Sequence, residues 1–557
     1  MIELNHLETG MKQIIVLLLS LTTGLFPDHA RAEPMVVSTE VIGPFTGADA
    51  RLHPANKAPM PIEYYGTDLG FSYAHAGQIH FLFGDTWATE AYAPIEASTG
   101  PRQDDGFGTI AIADWPDPAA ITSQNIPLIL LAQNPGSSEM SAQDPEHVMD
   151  LGKTPMAGFS NGHDEFGIFN VTKPWGCTTD ADCSSGLSCD TGLGYVGVSY
   201  AQQDGLTLPC IDGNGICIAD TMPQTADAAV AASGFCSDTT STIRDDTPAG
   251  RVQAVALQQR IGIRSETDPR KYGDIQHWLT NKFVNMTART VQSFIPENGT
   301  EQDYQTAGDS GDARRVLVWG RPGFIGVGAN GRSMGLYFAY VDMPIGLQDG
   351  PGFAWKVNYF THTVGGVPQF SSNERDARPV DLDANQPGIQ AAEQHDITNQ
   401  MSVAWIASLN KWVMFYGGGI TVLPSPPFPD CGTLQLFTGS ECKDVVVGNG
   451  AIRMRTADNP WGPWSPPQDV IAGGDPKVPG SGQYGVGGML HHPACTVEGC
   501  APHSQTAFYH PDEYGFFYAA NIIEQWTRAV DGGVDVIWNA STWDPYRVVL
   551  LRTRISP

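Results

Sequence analysis

Residues 64–87 form an aromatic, glycine-rich stretch that constrains the fold more than any other part of the sequence. The stretch reads YYGTDLGFSYAHAGQIHFLFGDTW and contains two apolar runs, at 69–73 and 79–83. Each run alternates as a strand does, and Gly77 can adopt the positive φ that a two-residue turn requires. The stretch therefore predicts a β-hairpin that turns at Ala76 and Gly77.

Two aspartates lie near the two ends of this hairpin. Counting outward from the turn places Asp68 opposite Asp85, with Cβ atoms about 4.5–5.5 Å apart and carboxyl oxygens within roughly 5–7 Å. Opposed carboxylates destabilise a hairpin but can act as one acid and one base, so a retained pair indicates catalysis. The alternative is that each aspartate caps a turn, and a one-residue slip of register would place the two on opposite faces.

Short aromatic hairpins recur along the chain and are separated by long loops. The predicted strands lie within residues 108–114, 154–172, 316–341, 401–416, 451–456, 507–519 and 534–553, and the two short helical candidates are 225–232 and 274–281. With 62 glycines, 41 prolines and only 16% charged residues, the composition favours strands and turns over long helices. An all-β fold follows, most simply a β-propeller whose opening and closing strands meet.

Residues 1–32 are predicted to be a cleavable export signal. Lys12 precedes the apolar residues 14–25, a run too short to span a bilayer, and Ala30-Arg31-Ala32 fits a signal cleavage site. Met11 is an alternative start. The mature chain would be one domain, 33–557, secreted or periplasmic, and its formal net charge of -29 argues against nucleic acid and anionic membranes as partners. The oligomeric state is not predicted.

Six of the ten cysteines lie in a segment at 174–238 that we interpret as an insertion. In an exported protein these cysteines predict three disulfides, whose connectivity the sequence leaves open. Two further local pairs are expected, Cys431 with Cys442 and Cys495 with Cys500. A zinc site is the weaker alternative, because no C-x-x-C spacing occurs. The six cysteines are Cys177, Cys183, Cys189, Cys210, Cys217 and Cys236.

Two familiar motifs are interpreted as turns. Residues 158–162 fit G-x-S-x-G, but a strand-like segment follows where a nucleophile elbow needs a helix. Residues 326–331 fit G-x-G-x-x-G and also precede a strand-like segment. Asp164 and Glu165 are expected at a solvated hairpin tip.

Several short motifs, taken in their order along the chain, resemble those of one family. They are Gly66-Thr-Asp-Leu-Gly70, Phe83-Gly-Asp-Thr86, Gly331-Arg-Ser-Met-Gly335, Asn459-Pro-Trp-Gly-Pro-Trp464, Tyr484-Gly with His491-His492-Pro493, and Ser541-Thr-Trp-Asp-Pro-Tyr546. The family comprises secreted bacterial proteins long catalogued as a domain of unknown function, and it includes endo-D-arabinanases, which are glycoside hydrolases. The resemblance covers most of the mature chain outside the insertion and implies a five-bladed β-propeller.

The resemblance also implies a site. Asp68 and Asp85 would be the catalytic carboxylates, acting on an arabinofuranose-type or related polysaccharide without a cofactor or metal. The residues that would line the sugar site are Arg332, Arg455, Tyr484, His492 and Trp543. Bland alternatives stand beside these roles: Arg332 as a surface ion-pair partner, His492 as a loop residue.

One departure from the family pattern leaves a second function open. Family members tend to carry Gly-Glu-Leu-Ser where this chain has Asn399-Gln-Met-Ser402. Nearby Glu393, His395 or Asp396 could replace the missing glutamate. Otherwise the protein would be a non-catalytic carbohydrate-binding or surface interaction propeller. The Trp461 and Trp464 motif is interpreted as a packed corner.

Overall fold

The structure is a computed structural model. It describes residues 33–46, 67–84, 86–87, 102–103, 107–111, 129–130, 153–174, 176–183, 188–190, 210–211, 216–217, 234–244, 252–255, 257–264, 272–280, 282–291, 315–321, 336–343, 355–380, 397, 400–418, 421–424, 444–447, 451–473, 495–496, 499–500, 516–543 and 547–557. These residues form strands, turns and three short 3-10 helices, at Asp180–Asp182, Glu374–Asp376 and Glu524–Trp526. No helix within these ranges is long and apolar enough to cross a membrane. The predicted all-β class is confirmed.

Four antiparallel sheets are blades whose strands follow one another outward in chain order. Sheet 1 contains Leu69–His75, Gln78–Phe83, Phe107–Ala111 and Ile129–Leu130. Sheet 2 contains Lys153–Ser160, Glu165–Pro174, Leu257–Arg264 and Tyr272–Thr280. Sheet 3 contains Asn285–Val291, Arg315–Arg321, Tyr337–Asp342, Val357–Val364 and Val367–Ser371, and sheet 4 contains Met401–Ile406, Lys411–Gly418, Ala451–Ala457 and Gln468–Ile471.

A further sheet, sheet 5, joins the two ends of the described chain. Its strands are Phe516–Ile522, Gly533–Trp543, Arg547–Ser556 and Met35–Pro44, with Arg528–Val530 beside the second. Met35 pairs with Ser556, and the register continues to Pro44 opposite Val549. The sequence predicted that the opening and closing strands of the chain would meet, but it did not predict the strand Met35–Pro44.

The first strands of the five sheets contact one another in a closed cycle, from sheet 1 through sheet 5 and back to sheet 1. The core lies between neighbouring sheets, as in a β-propeller. Sheets 3 and 4, for example, share a cluster in which the rings of Trp319 and Trp412 are 5.4 Å apart. Trp461 and Trp464 are buried in the same cluster, which confirms the packed corner.

The predicted helix at 274–281 is wrong for residues 274–280, which lie in the last strand of sheet 2, and residue 281 lies outside the described residues. Hydrogen-bonded pairing with Leu257–Arg264 overrides the local signal. The other helical candidate, 225–232, lies outside the described residues.

The predicted insertion, 174–238, begins where the second strand of sheet 2 ends. The chain between the second and third strands of sheet 2 contributes Gly176–Cys177, Ser188–Asp190, Gly234–Arg244 and Val252–Val255 as one sheet and Cys210–Ile211 with Ile216–Cys217 as a ribbon. This region therefore extends beyond the predicted end at residue 238. Cys183 and Cys189 each take part in a disulfide bond, and the described residues contain no free cysteine. The three-bridge staple stays a prediction. Smaller ribbons pair Thr86–Trp87 with Arg102–Gln103, Thr421–Pro424 with Asp444–Val447 and Cys495–Thr496 with Gly499–Cys500.

The G-x-S-x-G motif is a turn between two strands, as predicted. Ser160 ends one strand, and its Oγ accepts a hydrogen bond from Gly162 N–H at 3.0 Å. The backbone N–H groups of His163 and Asp164 both donate to Asn161 Oδ1. These contacts are those of a polar turn and leave no strand-to-helix elbow.

Glu165 is not a solvated tip residue, contrary to the sequence-based expectation. Its carboxylate receives Arg264 Nη1 at 2.5 and 2.6 Å and the Tyr73 hydroxyl at 2.8 Å, and Tyr73 also contacts the Tyr272 hydroxyl at 2.7 Å. Burial opposes ionisation of Glu165, but the neighbouring His80 and Arg264 hold its pKa below the usual range. The carboxylate therefore joins sheets 1 and 2 through a largely buried polar network.

His80 should make this junction sensitive to acid. Its Nε2 lies 3.2 Å from Glu165 Oε2, and burial lowers the pKa of His80 to about 4, against the attraction of Glu165 and with the repulsion of Arg264 and His75. The unfolded imidazole titrates near 6.5. Between about 6.5 and 4 the unfolded state therefore binds more protons, and stability falls with falling pH, by about 3 kcal/mol in all.

Replacing His80 with Asn should remove most of this loss. The measurement is the free energy of unfolding by urea at several pH values between about 4 and 6.5, with His362→Asn as a control at an exposed position. Equal slopes for the wild type and His80→Asn would contradict the assignment.

Candidate functional site

The hairpin around Asp68 has the predicted turn but not the predicted register at its end. His75 pairs with Gln78 and Phe71 with Leu82, as counted from Ala76 and Gly77, but Leu69 pairs with Phe83. The break lies at Gly70, whose φ is +85°. One extra residue is a β-bulge, and it brings Asp68 opposite Gly84, whose N–H donates to Asp68 O at 3.0 Å. The predicted pairing of Asp68 with Asp85 is wrong in register; Asp85 itself lies outside the described residues.

Sheet 5 holds this bulge in place. Leu69 N–H donates to Ser541 Oγ at 2.7 Å. The Gly70 carbonyl accepts from Asn521 Nδ2 at 3.0 Å and from Asn539 Nδ2 at 2.9 Å. All three polar side chains are buried, so each of these hydrogen bonds satisfies a group that would otherwise be costly to bury.

The first strand of sheet 5 is irregular at the same place. Its pairing shifts between Tyr518 and Asn521, and Ala519 has a φ of +50°. The Tyr518 hydroxyl donates to Asp68 Oδ2 at 2.9 Å. Asp68 is 7% exposed and Tyr518 5% exposed, so the contact is a buried hydrogen bond between a hydroxyl and a carboxyl group.

Backbone strain marks this junction as a candidate site. Four non-glycine residues within the described ranges have positive φ: Leu69, Ala76, Asn410 and Ala519. Ala76 and Asn410 lie in exposed turns, where such angles are common, whereas Leu69 and Ala519 are buried in strands. Strain of this kind persists where the surrounding contacts enforce it, and it is concentrated at functional sites.

Gly84 leaves the space that the Asp68 carboxylate occupies. A Cβ built on Gly84 would lie 2.2 Å from Asp68 Oδ1 and 2.8 Å from Leu69 Cδ1. Gly84→Ala should therefore displace the carboxylate. Because a 1 Å misplacement of a reacting group can cost on the order of 100-fold, we expect activity per folded molecule to fall by about that factor.

The matched control for Gly84→Ala is Gly158→Ala. A Cβ on Gly158 would lie 2.2 Å from the Tyr73 ring, so both variants should be destabilised by about 1–3 kcal/mol through overpacking. Only Gly84→Ala should lose activity at temperatures where both variants are folded. Equal activities would show that the carboxylate does not need this position.

The structure brings two of the predicted site residues to one end of the ring, Asp68 and Trp543. Trp543 ends its strand and pairs with Phe516, two positions beyond the pair of Tyr518 with Ser541. Arg455 lies elsewhere, in the third strand of sheet 4, where its guanidinium donates to Tyr416 Oη and to Ser465 O, both at 2.9 Å. Arg455 is 4% exposed, and these contacts hold the Trp464 corner.

The remaining predicted residues lie outside the described residues. They are Asp85, Arg332, Tyr484 and His492, together with Glu393, His395 and Asp396. Their roles stay predictions. Within the described ranges, no group of three His, Cys, Asp or Glu side chains could hold a metal ion.

Tyr518 is the residue contacting Asp68 that the sequence did not predict, and Asn521 and Asn539 at the bulge were not predicted either. Tyr518 lies 450 positions from Asp68, so no local pattern connects the two. The sequence offered one signal for Tyr518, which is that it lies in a strand predicted to end at Ala519.

No family model matches this sequence, and no curated protein matches it. Among solved structures, a hydrolase candidate from Bacteroides ovatus is 8% identical with a TM-score of 0.36, covering 90% of this chain and 88% of that one. A GH43_1 enzyme from Xanthomonas citri is 9% identical with a TM-score of 0.31, covering 89% and 88%. A sialidase from Trypanosoma rangeli is 8% identical with a TM-score of 0.28, and this chain covers 59% of its length. All three TM-scores are below 0.5.

Proposed function

We propose that the protein is a secreted glycoside hydrolase, endo-D-arabinanase-like, that cleaves arabinofuranose-type or related polysaccharides at the Asp68 end of the ring. The observation that carries the proposal is the buried Asp68 carboxylate, held by Tyr518 between two strained bulges. A structural capping role would not require bulges in two different sheets, since a single regular turn satisfies a cap.

The chemistry needs two carboxyl groups. Glycoside hydrolases protonate the leaving oxygen with one and use the other as nucleophile or as base for water. Asp68 is proposed as one group and Asp85, which follows Gly84 in the chain, as the other. The hairpin register does not pair the two, so the proposal for Asp85 rests on the family resemblance. No cofactor is required for this reaction.

The sugar is proposed to lie over the same end of the ring. Trp543 offers a flat apolar face for a sugar ring, and Arg332, Tyr484 and His492 offer hydrogen bonds to hydroxyl groups. For Arg455, the proposed contact with the sugar rests on the family resemblance alone. Its described hydrogen bonds are made within its own part of the fold, to Tyr416 and Ser465.

The architecture and processing complete the proposal. Sheet 5 is proposed as the fifth blade, supported by the closed cycle of contacts among the first strands. Export with cleavage after Ala32 and a three-disulfide insertion at 174–238 fit an extracellular polysaccharide-degrading enzyme.

The test is to incubate the mature protein, residues 33–557, with arabinans, arabinogalactan and unrelated glycans. We expect soluble oligosaccharides from the arabinofuranose polymers, detected by anion-exchange chromatography. Release of oligosaccharides from an unrelated glycan alone would refute the proposed substrate class. No release from any of the polymers would refute the proposal that the protein is a glycoside hydrolase.

A carbohydrate-binding propeller is the second candidate, favoured by the residues at the departure from the family pattern. Gln400 stands where the family tends to carry glutamate and is 1% exposed. Ser402 lies two positions further along the chain, and its Oγ accepts hydrogen bonds from Arg289 Nη2 at 2.9 Å and from Ile522 N–H at 3.0 Å. Retention on an immobilised glycan without product release would support this candidate.

A further inference from the structure

The Tyr518 hydroxyl contacts one oxygen of the Asp68 carboxylate at the point where the bulges at Gly70 and Ala519 meet. Its hydrogen is donated to Asp68 Oδ2 at 2.9 Å, with both side chains buried. A hydrogen bond donated to a carboxyl oxygen favours the ionised form of the acceptor.

The surrounding contacts fix both partners before any substrate arrives. Ser541 Oγ accepts a hydrogen bond from the N–H of Leu69, the residue after Asp68, and Ser541 pairs with Tyr518 across sheet 5. Asn521 bridges Gly70 O and Ser72 Oγ at 3.0 Å each. These hydrogen bonds therefore maintain the positive φ angles of Leu69 and Ala519. Together they place the Tyr518 hydroxyl against the Asp68 carboxylate.

We infer that Tyr518 is a positioning residue that keeps Asp68 ionised, which makes Asp68 the nucleophile or base and leaves the acid role to Asp85. This inference rests on the proposed function. In the reaction, the Asp85 carboxyl proton passes to the glycosidic oxygen as the bond from that oxygen to the anomeric carbon breaks. The Asp68 carboxylate either bonds to the anomeric carbon or takes a proton from the water that does so.

Tyr518 is a titratable group with a described contact to Asp68. Asp85 is the expected second one and lies outside the described residues.

The first experiment needs no substrate. Melting temperatures are measured at pH 7 for the wild type, Tyr518→Phe, Asp68→Asn and the double variant. We expect Tyr518→Phe to lower the melting temperature much more when it is introduced into the wild type than when it is introduced into Asp68→Asn. Additive effects would overturn the inference.

The second experiment uses the polysaccharide that the wild type cleaves. Tyr518→Phe should lower kcat about 10- to 100-fold with KM changed little, as expected for a charge-assisted hydrogen bond, and should move the acid limb of the pH–rate profile upward. The control is Tyr359→Phe, which removes another buried hydroxyl that contacts a carboxylate, Glu374 Oε2 at 3.4 Å. The control should leave the pH profile unchanged.

The two assigned roles also predict a difference between leaving groups. On an aryl glycoside of the cleaved oligosaccharide, whose leaving group needs no proton, Asp85→Asn should regain much of its activity and Asp68→Asn should not. The reverse pattern would overturn the assignment. An active Asp68→Asn would instead refute the proposed function, whereas an inactive Asp68→Asn with an unaltered Tyr518→Phe would refute only the role of Tyr518.

Discussion

Asp68→Asn is expected to lower kcat/KM for the cleaved polysaccharide by three or more orders of magnitude, about 4 kcal/mol or more of barrier. Asparagine keeps the shape and an oxygen that can accept from Tyr518, but it cannot attack an anomeric carbon or take a proton from water. The measurement is the initial rate of oligosaccharide release by the purified variant.

The same variant should remain folded. The amide retains the hydrogen bond, and the site loses only the charge, so we expect the free energy of unfolding to change by about 1 kcal/mol or less. Asp85→Asn should lose comparable activity on the polysaccharide. An active double variant, Asp68→Asn with Asp85→Asn, would refute the carboxylate pair.

Glu165→Gln is expected to produce the largest loss of stability. The amide cannot neutralise Arg264, whose Nη1 lies 2.5 Å from Glu165 Oε1 with both side chains 12% exposed. Removing one partner of a buried ion pair typically costs about 3–5 kcal/mol, because the other charge is left buried without compensation. Urea unfolding of the variant and the wild type at pH 7 measures the difference.

Asp342→Asn is the matched control. It removes the partner of Arg315, also 2.5 Å away, but Asp342 is 60% exposed, and such a surface pair contributes about 1 kcal/mol or less. Because Glu165 and Asp68 lie near opposite ends of the strand Leu69–His75, roughly 20 Å apart, folded Glu165→Gln should keep its activity. A loss of stability no larger than that of Asp342→Asn would contradict the network.

The sequence predicted the local parts of the fold well. The turn at Ala76 and Gly77, the hairpin of Met401–Ile406 with Lys411–Gly418 and the closing strands follow from alternation and glycine placement, which act over a few residues. The same local rules explain why the G-x-S-x-G motif was correctly interpreted as a turn.

What the sequence did not reveal depends on distant contacts. The register at Asp68 is changed by a bulge at Gly70, which Asn521 and Asn539 stabilise from sheet 5. The strand Met35–Pro44 exists because its partner is the last strand of the chain. Glu165 was misjudged because Arg264, 99 residues away, neutralises it. Alternation along one strand cannot report such partners.

The most direct test of the proposed site is a crystal structure of Asp68→Asn protein with an oligosaccharide from the polysaccharide that the wild type cleaves. We expect a glycosidic linkage at the Asp68 end of the ring, with the side chain of residue 68 about 3–3.5 Å from an anomeric carbon or from the water aligned to attack it. An oligosaccharide bound at another face, with residue 68 not contacting it, would contradict the account.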